Sequence, residues 1–189
     1  MIGEEFPLVM ARAQTGDEAA FARLWRDVNP LLLRYLTLSG EPAEDVAAET
    51  WTSIVRVLPR FAGNEVAWRA WVFATARRRA IDAGRRRARL AAVESRANEW
   101  RPDPCPGDAA DEAIERIGTA EAVRLVAELP ALQAEVVLLR FMAGLPVEDV
   151  ARLLGRSPGA VRVATHRGLR RLAALLADQG VTHFGASAL

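Results

Sequence analysis

Apolar positions recur at helical spacing along most of the 189-residue chain, and nowhere do β-branched and polar residues alternate as an exposed strand requires. Asp17 predicts a helix cap ahead of Phe21, Leu24, Trp25 and Val28, which share one helical face. Pro30 lacks a backbone donor and is expected to kink or interrupt that helix before Leu31–Leu36, and Gly40 ends it. A second helix opens at Pro42, with Val46, Thr50, Trp51, Ile54 and Leu58 on one side and Glu44, Asp45, Ala48 and Glu49 on the other. Pro59 to Glu65, PRFAGNE, reads as a loop. A long helix follows from about Val66 to Leu90, with Trp68, Trp71, Val72 and Phe73 near its start. The fold class is all-α.

From Asn98 to Asp111 the text NEWRPDPCPGDAAD has no apolar period, and its prolines and glycine mark a flexible linker. Helices resume near Asp111; Thr119 is placed to cap one reaching Leu129, and Pro130 starts another that ends at Gly144. Pro146 then opens a short helix with Val147, Val150, Ala151 and Leu154 on one face, and Gly155 supplies a tight turn. Ser157 is an N-cap and Pro158 the first residue of a further helix. That helix is expected to bury Val161, Thr165, Leu169, Leu172 and Leu176, with Arg162, Val163, His166, Arg167 and Arg170 facing outward. Two helices so spaced form a helix-turn-helix, whose second helix fits the DNA major groove.

Charge sharpens this picture. The net charge is only +1, yet every one of the 25 basic residues is arginine, and they alternate in blocks with the acids. Residues 69–101 carry +7 and residues 152–189 carry +5, against −4 over residues 1–68 and −7 over residues 102–151. Two basic blocks suit two polyanion-binding surfaces, although solvated helix faces explain a charge run equally well. No acid occurs between Arg152 and Arg171, which favours DNA binding over a plain helical hairpin. Arginine suits that role because its planar fork reads guanine or clamps phosphate. In the earlier block, seven arginines and one acid lie between Arg77 and Arg89, a density that neutralises several phosphates. Phe61, Trp68, Trp71 and Phe73 lie just upstream, where aromatics stack on unpaired bases. Tryptophans at helical spacing are more often core; Trp71 is expected to be largely core, with Phe61 and Trp68 open to either role.

Composition closes off other classes. At 51% hydrophobic and 26% charged the chain is ordinary for a soluble globular protein, and its length allows one domain or two small ones. No apolar run approaches the ~20 residues that span a bilayer, and the acidic opening MIGEEFPLVM is unlike a signal peptide. The single cysteine, Cys105, forms neither an internal disulfide nor a cysteine zinc site, so a cytoplasmic location is expected. There is no Walker loop, HExxH, G-x-S-x-G or Cys/His cluster. No catalytic residue, metal site or cofactor is expected.

The ordered motifs resemble those of a known family, the extracytoplasmic-function (group IV) sigma factors of bacterial RNA polymerase. FARLWRDVNPLLLRYL resembles region 2.1, AEDVAAETWTSIVRVLPRF region 2.2 and WRAWVFATARRRAIDAGRRR regions 2.3 and 2.4. LVAELPALQAEVVLLRFMAGLPVEDVARLLGRSPGAVRVATHRGLRRLAALL resembles region 4. The chain departs from the usual pattern at Ala48, where glutamine is common, and at Arg78, where asparagine is frequent. Its GAVRVATHRGL also differs from the TVKSRLHRGL of many members, so no −35 sequence carries over.

The resemblance implies a region 2 bundle over residues 1–95, a linker over 96–112, a region 4 helix-turn-helix over 113–178 and a tail over 179–189, with no further domain. It implies core RNA polymerase as partner: Asp45 and Glu49 meet the clamp helices of the largest subunit, and an apolar groove of region 4 takes the flap of the second-largest. Promoter DNA is met at −10 by Arg60, Phe61, Asn64, Trp68, Arg77, Arg78, Arg85 and Arg86, with one base flipped into the PRFAGNE loop. At −35 it is met by Ser157, Arg162, Val163, His166, Arg167 and Arg170. Asp103, Asp108, Asp111 and Glu112 of the linker would run through the polymerase channel, and the family leaves room for an anti-sigma factor. A stand-alone helix-turn-helix regulator, with residues 1–100 as a sensing or dimerising domain, accounts equally well for residues 145–178 but leaves the arginine helix and the loop unexplained. An RNA-binding adaptor is a third reading.

Overall fold

The computed structural model describes residues 1–97 and 124–178, and every regular element among them is helical. Of the expected linker, residues 96 and 97 belong to a helix and the rest lies outside the described residues, as do Cys105, Asp103, Asp108, Asp111, Glu112, Thr119 and His183.

The chain opens with a single 3₁₀ turn, Gly3–Glu5, and the helix α1, Phe6–Gln14, which the sequence reading did not anticipate. Phe6, Val9, Met10 and Ala13 follow the spacing of one helical face, and all four are buried. Asp17 then caps α2, Glu18–Leu36, as expected: its Oδ1 accepts from the Ala20 amide at 2.9 Å, and Arg12 donates to its Oδ2 at 2.8 Å. The Ala20 amide first, and the Arg12 guanidinium second, hold the Asp17 carboxyl below its ordinary range. A depressed carboxyl supports the fold above its unfolded pKa and loses that support as pH falls through the folded value.

Contrary to expectation, α2 runs through Pro30 without interruption. Leu24, Val28, Leu32 and Leu36 lie on both sides of the proline and are fully buried. Burying each of them contributes about 1.5–3 kcal/mol, which together outweighs the ~3 kcal/mol an interior proline costs.

Gly40, in the left-handed region at φ 70°, turns the chain into α3, Ala43–Val57. Val46, Thr50, Trp51, Ile54 and Leu58 are buried and Glu44, Asp45, Ala48 and Glu49 exposed, as the periodicity predicts. The Trp51 indole donates to buried Asn29 Oδ1 at 2.8 Å, tying α3 to α2. A 3₁₀ turn, Leu58–Arg60, and a short loop lead into the long α4, Glu65–Ala97. Its first half is anchored by buried Trp68, Val72, Phe73, Ala76 and Ala80, while Arg85–Leu90 are exposed.

After a helical turn at residues 124–127, α5 spans Ala131–Val137 and widens into one π turn, Leu138–Met142. The helix α6, Val147–Leu154, ends at Gly155 with φ 63°, and α7 spans Pro158–Asp178. Ser157 Oγ accepts from the Ala160 amide at 3.2 Å, the expected cap. Val161 is buried as expected, but one detail of α7 differs: Leu169 is exposed, and Ala164 and Gly168 are buried instead. Gly168 takes that place because α5 passes so close that a Cβ there would lie 2.9 Å from Val137 Cγ2. The C-terminal helices pack on the N-terminal bundle, α6 against α4 and the π turn against α2.

Glycine at two positions of α7 therefore predicts opposite outcomes. Gly168→Val forces α5 and α7 apart and should lower stability by about 1–3 kcal/mol. Gly159 has nothing closer to its missing Cβ than Ser157 Oγ at 4.0 Å, and Gly159→Ala should raise stability by up to ~1 kcal/mol. Urea unfolding of both variants checks the pair; equal effects would contradict the packing.

Candidate nucleic-acid interface

The loop between α3 and α4 is held from below. Gln14 of α1 donates from Nε2 to the carbonyls of Leu58, at 3.1 Å, and Phe61, at 2.7 Å. Gly63 lets the loop fold tightly, since a Cβ there would lie 2.9 Å from Ala67 Cβ and 3.2 Å from the Phe61 ring. Phe61 is thereby laid flat on Trp71, with centroids 5.4 Å apart and planes at 18°. Both rings meet Trp68 edge-on, and Trp68 lies 6.3 Å from Trp51. An aromatic column thus runs from the core at Trp51 to the surface at Phe61 and Trp71.

This geometry corrects the assignment of the tryptophans. Trp68, expected among the −10 residues, is 0% exposed and offers no face to a ligand. Trp71, expected to be core, is half-buried and carries Phe61 at the surface. Asn64 is exposed, but its Oδ1 is engaged by the Ala67 amide at 2.9 Å, so it caps α4. Arg60 is exposed beside this loop.

The arginines of α4 divide into two groups. Arg78 and Arg85 are exposed; Arg78 Nε donates to the Ala74 carbonyl at 3.3 Å, and Arg85 lies 4.0 Å from Asp82. Others are tied to neighbouring elements. Arg77 Nε donates to Glu135 at 2.9 Å, Arg79 to Ser53 Oγ at 2.7 Å, and Arg87 to Glu41 at 2.7 Å. Arg86 grips both oxygens of Glu49, at 2.9 and 3.2 Å. That pair joins an expected DNA contact to an expected polymerase contact. Both side chains are about half exposed, so the pair is worth at most ~1 kcal/mol and exchanges readily. Asp45, one turn earlier on α3, is exposed.

On α7, Arg162, Val163, His166, Arg167 and Arg170 are all exposed and follow helical spacing along one stripe. Arg162 reaches back to Glu148 of α6 at 3.1 Å, an exposed pair that a phosphate or a guanine edge can displace. Ser157 sits at the head of the stripe. Among the described residues no three His, Cys, Asp or Glu side chains gather as metal ligands, and no helix is long and apolar enough to cross a membrane.

Residues missed at the sequence level lie between these surfaces. Glu135 of α5 accepts from both Arg77 and the Tyr35 hydroxyl, the latter at 2.8 Å. Burial, reinforced by the Glu135 charge, pushes the Tyr35 phenol well above its ordinary pKa. Arg69 is 3% exposed; it pairs with Asp27 at 2.5 Å and donates to the Ala143 carbonyl at 3.4 Å. No motif marks these residues, because each contact spans more than 40 positions.

The chain is similar to proteins of known kind. The Sigma-70 region 2 family model matches residues 21–90, and the Sigma-70, region 4 model matches residues 119–172. ECF RNA polymerase sigma factor ShbA of Streptomyces griseus is 38% identical over 175 residues, covering 87% of this chain and 91% of ShbA. ECF RNA polymerase sigma factor SigD of Mycobacterium tuberculosis is 33% identical over 181 residues, covering 91% and 84%. Among solved structures, CnrH in complex with the cytosolic domain of CnrY aligns with a TM-score of 0.59 at 21% identity, over 93% of this chain and 99% of that one. RpoE of Bartonella quintana, in complex with the anti-sigma factor NepR, aligns with a TM-score of 0.55 at 21% identity, over 82% and 97%. At that identity the structural likeness concerns the fold.

The aromatic column predicts distinct outcomes for two neighbouring tryptophans. Trp68→Ala empties the core and should cost about 3–5 kcal/mol. Trp71→Ala removes a half-exposed ring and should cost under ~2 kcal/mol. Denaturant melts of the two variants measure this, and a larger loss at Trp71 would reverse the assignment.

Proposed function

The chain belongs to the extracytoplasmic-function branch of the sigma-70 family, and from that premise we propose how its surfaces serve an alternative sigma factor that directs promoter-specific initiation by core RNA polymerase. One observation carries the reading. A single chain pairs a half-buried aromatic platform at the head of an arginine helix with a helix-turn-helix whose outer stripe is free of acids. A stand-alone regulator needs only the second of these.

Phe61 and Trp71 form the platform on which a flipped −10 base stacks, with the loop backbone around Gly63 shaping the pocket. Base–aromatic stacking is worth about 1–3 kcal/mol, which offsets much of the cost of unstacking. Arg60, Arg78 and Arg85 take phosphates; Arg77 and Arg86 join them when their present partners give way. On α7, Arg162, Val163, His166 and Arg167 face the bases of the −35 element, and Ser157 and Arg170 steady the helix against phosphate. Asp45, with Glu49 once released from Arg86, docks on the clamp helices of the largest polymerase subunit, and region 4 receives the flap of the second-largest. The protein itself performs no bond chemistry; that belongs to the polymerase, in the cytoplasm. An anti-sigma factor is a further partner the family implies.

Run-off transcription tests the reading: core polymerase should initiate from a cognate promoter only when this chain is present. Promoter binding without any gain in initiation would favour the stand-alone regulator. Asp45→Arg, which leaves the Arg86–Glu49 pair intact, should abolish co-purification with core while the far-UV spectrum stays helical. Unaltered co-purification would move the anchor elsewhere.

The −10 contacts should separate by salt. On holoenzyme, Arg78→Ala with Arg85→Ala should flatten the salt dependence of −10 oligonucleotide binding by roughly 0.7 per lost phosphate contact, keeping the preferred sequence. Phe61→Ala should leave the slope and blur the sequence preference. A fluorescence titration at several salt concentrations reads both; if both variants alter only the slope, the platform does not read a base.

A further inference from the structure

The loop that carries Phe61 is gripped at both ends by the N-terminal segment, which precedes the residues 21–90 matched by the Sigma-70 region 2 model. At the far end stands buried Glu65, the first residue of α4. One of its carboxylate oxygens accepts the Ile2 amide at 2.7 Å, and the other accepts the Gly3 amide at 2.9 Å. At the near end, Gln14 is the last residue of α1. Its Nε2 donates to the carbonyls of Leu58, at 3.1 Å, and Phe61, at 2.7 Å, which spends both hydrogens of one side-chain amide. Between these two anchors, buried Phe6, Val9, Met10 and Ala13 hold α1 on the bundle.

The two carbonyls that Gln14 takes are the ones that set the shape of the loop. The Leu58 carbonyl also accepts the Phe61 amide at 3.0 Å, which closes the 3₁₀ turn Leu58–Arg60. Phe61 leaves that turn extended, at φ −65° and ψ 132°, so the helical ladder offers its carbonyl no partner. Fixing this carbonyl fixes the direction in which the Phe61 ring leaves the backbone, and the ring lies flat on Trp71. Gln14 is held in its turn. The Thr15 and Asp17 amides bond the Arg12 carbonyl and the Gly16 amide bonds that of Ala13, each at 3.1 Å. Asp17 then caps α2 while accepting from Arg12. Order therefore passes from the cap of α2 through Gln14 to the stacked ring.

Resting on the sigma-factor reading above, we propose that Gln14 is a positioning residue for −10 base selection. It holds the Phe61–Trp71 platform in the conformation that accepts a flipped base, and it acts through the loop without touching DNA. A loop that also samples other conformations binds the flipped base in proportion to its competent fraction. Phosphate contacts from the arginines of α4 carry no such requirement. Loss of Gln14 thus strikes base choice and spares the electrostatic part of binding.

The test uses the full chain, free and as holoenzyme. Gln14→Met keeps the length of the side chain and loses both donors, whereas Gln14→Lys keeps donors on a chain one atom longer. On the free chain, hydrogen exchange over residues 58–64, read by mass spectrometry, should quicken in Gln14→Met and return toward wild type in Gln14→Lys. On holoenzyme, two −10 oligonucleotides are compared: the preferred strand, and one changed only at the flipped base. Gln14→Met should weaken binding of the preferred strand by about 5-fold for each hydrogen bond lost. The changed strand and the salt slope should stay as in wild type, and Gln14→Lys should restore the discrimination. A purely structural role would lower the active fraction and weaken both strands alike; that result overturns the proposal, as does unchanged discrimination. Gln14→Asn, one methylene shorter, reaches at most one carbonyl; it should give an intermediate loss and serves if Gln14→Met does not fold. Wild-type holoenzyme that itself shows no preference at the flipped base would defeat the platform reading and this role with it. A selective wild type with an equally selective Gln14→Met would defeat the role of Gln14 alone.

Discussion

A buried cation organises the structure where its parts meet. Arg69, on the second turn of α4, pairs with Asp27 of α2 at 2.5 Å, lies 3.7 Å from Glu65 and reaches the Ala143 carbonyl of the C-terminal half. Glu65 in turn accepts the backbone amides of Ile2 and Gly3, at 2.7 and 2.9 Å. A paired charge in the interior adds little net stability over a well-packed apolar residue, but removing one partner costs about 3–5 kcal/mol. Its effect is therefore to specify position: the head of α4 has one place relative to α2 and the N-terminal segment. The loop carrying Phe61 inherits that place.

From that fixed point the aromatic column carries rigidity outward. Trp51 is held by Asn29, Trp68 is sealed beneath the surface, and Phe61 and Trp71 are stacked at the top. A platform for a flipped base must be rigid beforehand, because ordering it on binding subtracts from the stacking energy. The arginines behind it need no such rigidity. In the proposed role they act through charge, and the exposed pair that holds Arg86 is weak enough to exchange for phosphate. Shape and charge thus rest on different parts of one helix.

Much of this was legible in the sequence wherever local rules decide the outcome. The buried face of α3 follows from period alone, and Gly155, Ser157 and Pro158 punctuate the helix-turn-helix by backbone chemistry. The misreadings occur where tertiary packing overrides local preference. Pro30 should break a helix in isolation but sits between fully buried leucines. Trp68 and Trp71 are three positions apart, and which one goes inside is decided by a loop folding back over Trp71. Leu169 yields the inward position to Gly168 because α5 comes so close. Glu135 lies 100 residues from Tyr35, and no periodicity reports such a contact. The surfaces proposed for DNA were visible as arginine and aromatic residues; their division into free and clasped was not.

In the proposed role this chain opens promoter DNA only as part of an RNA polymerase holoenzyme. Permanganate reactivity of unpaired thymines around −10, followed on one promoter fragment with core, chain and both together, tests it most directly. Reactivity confined to the mixture, and lost on Phe61→Ala while the holoenzyme still assembles, is the expected result. Thymines that stay unreactive with core present, or become equally reactive with the chain alone, would contradict it.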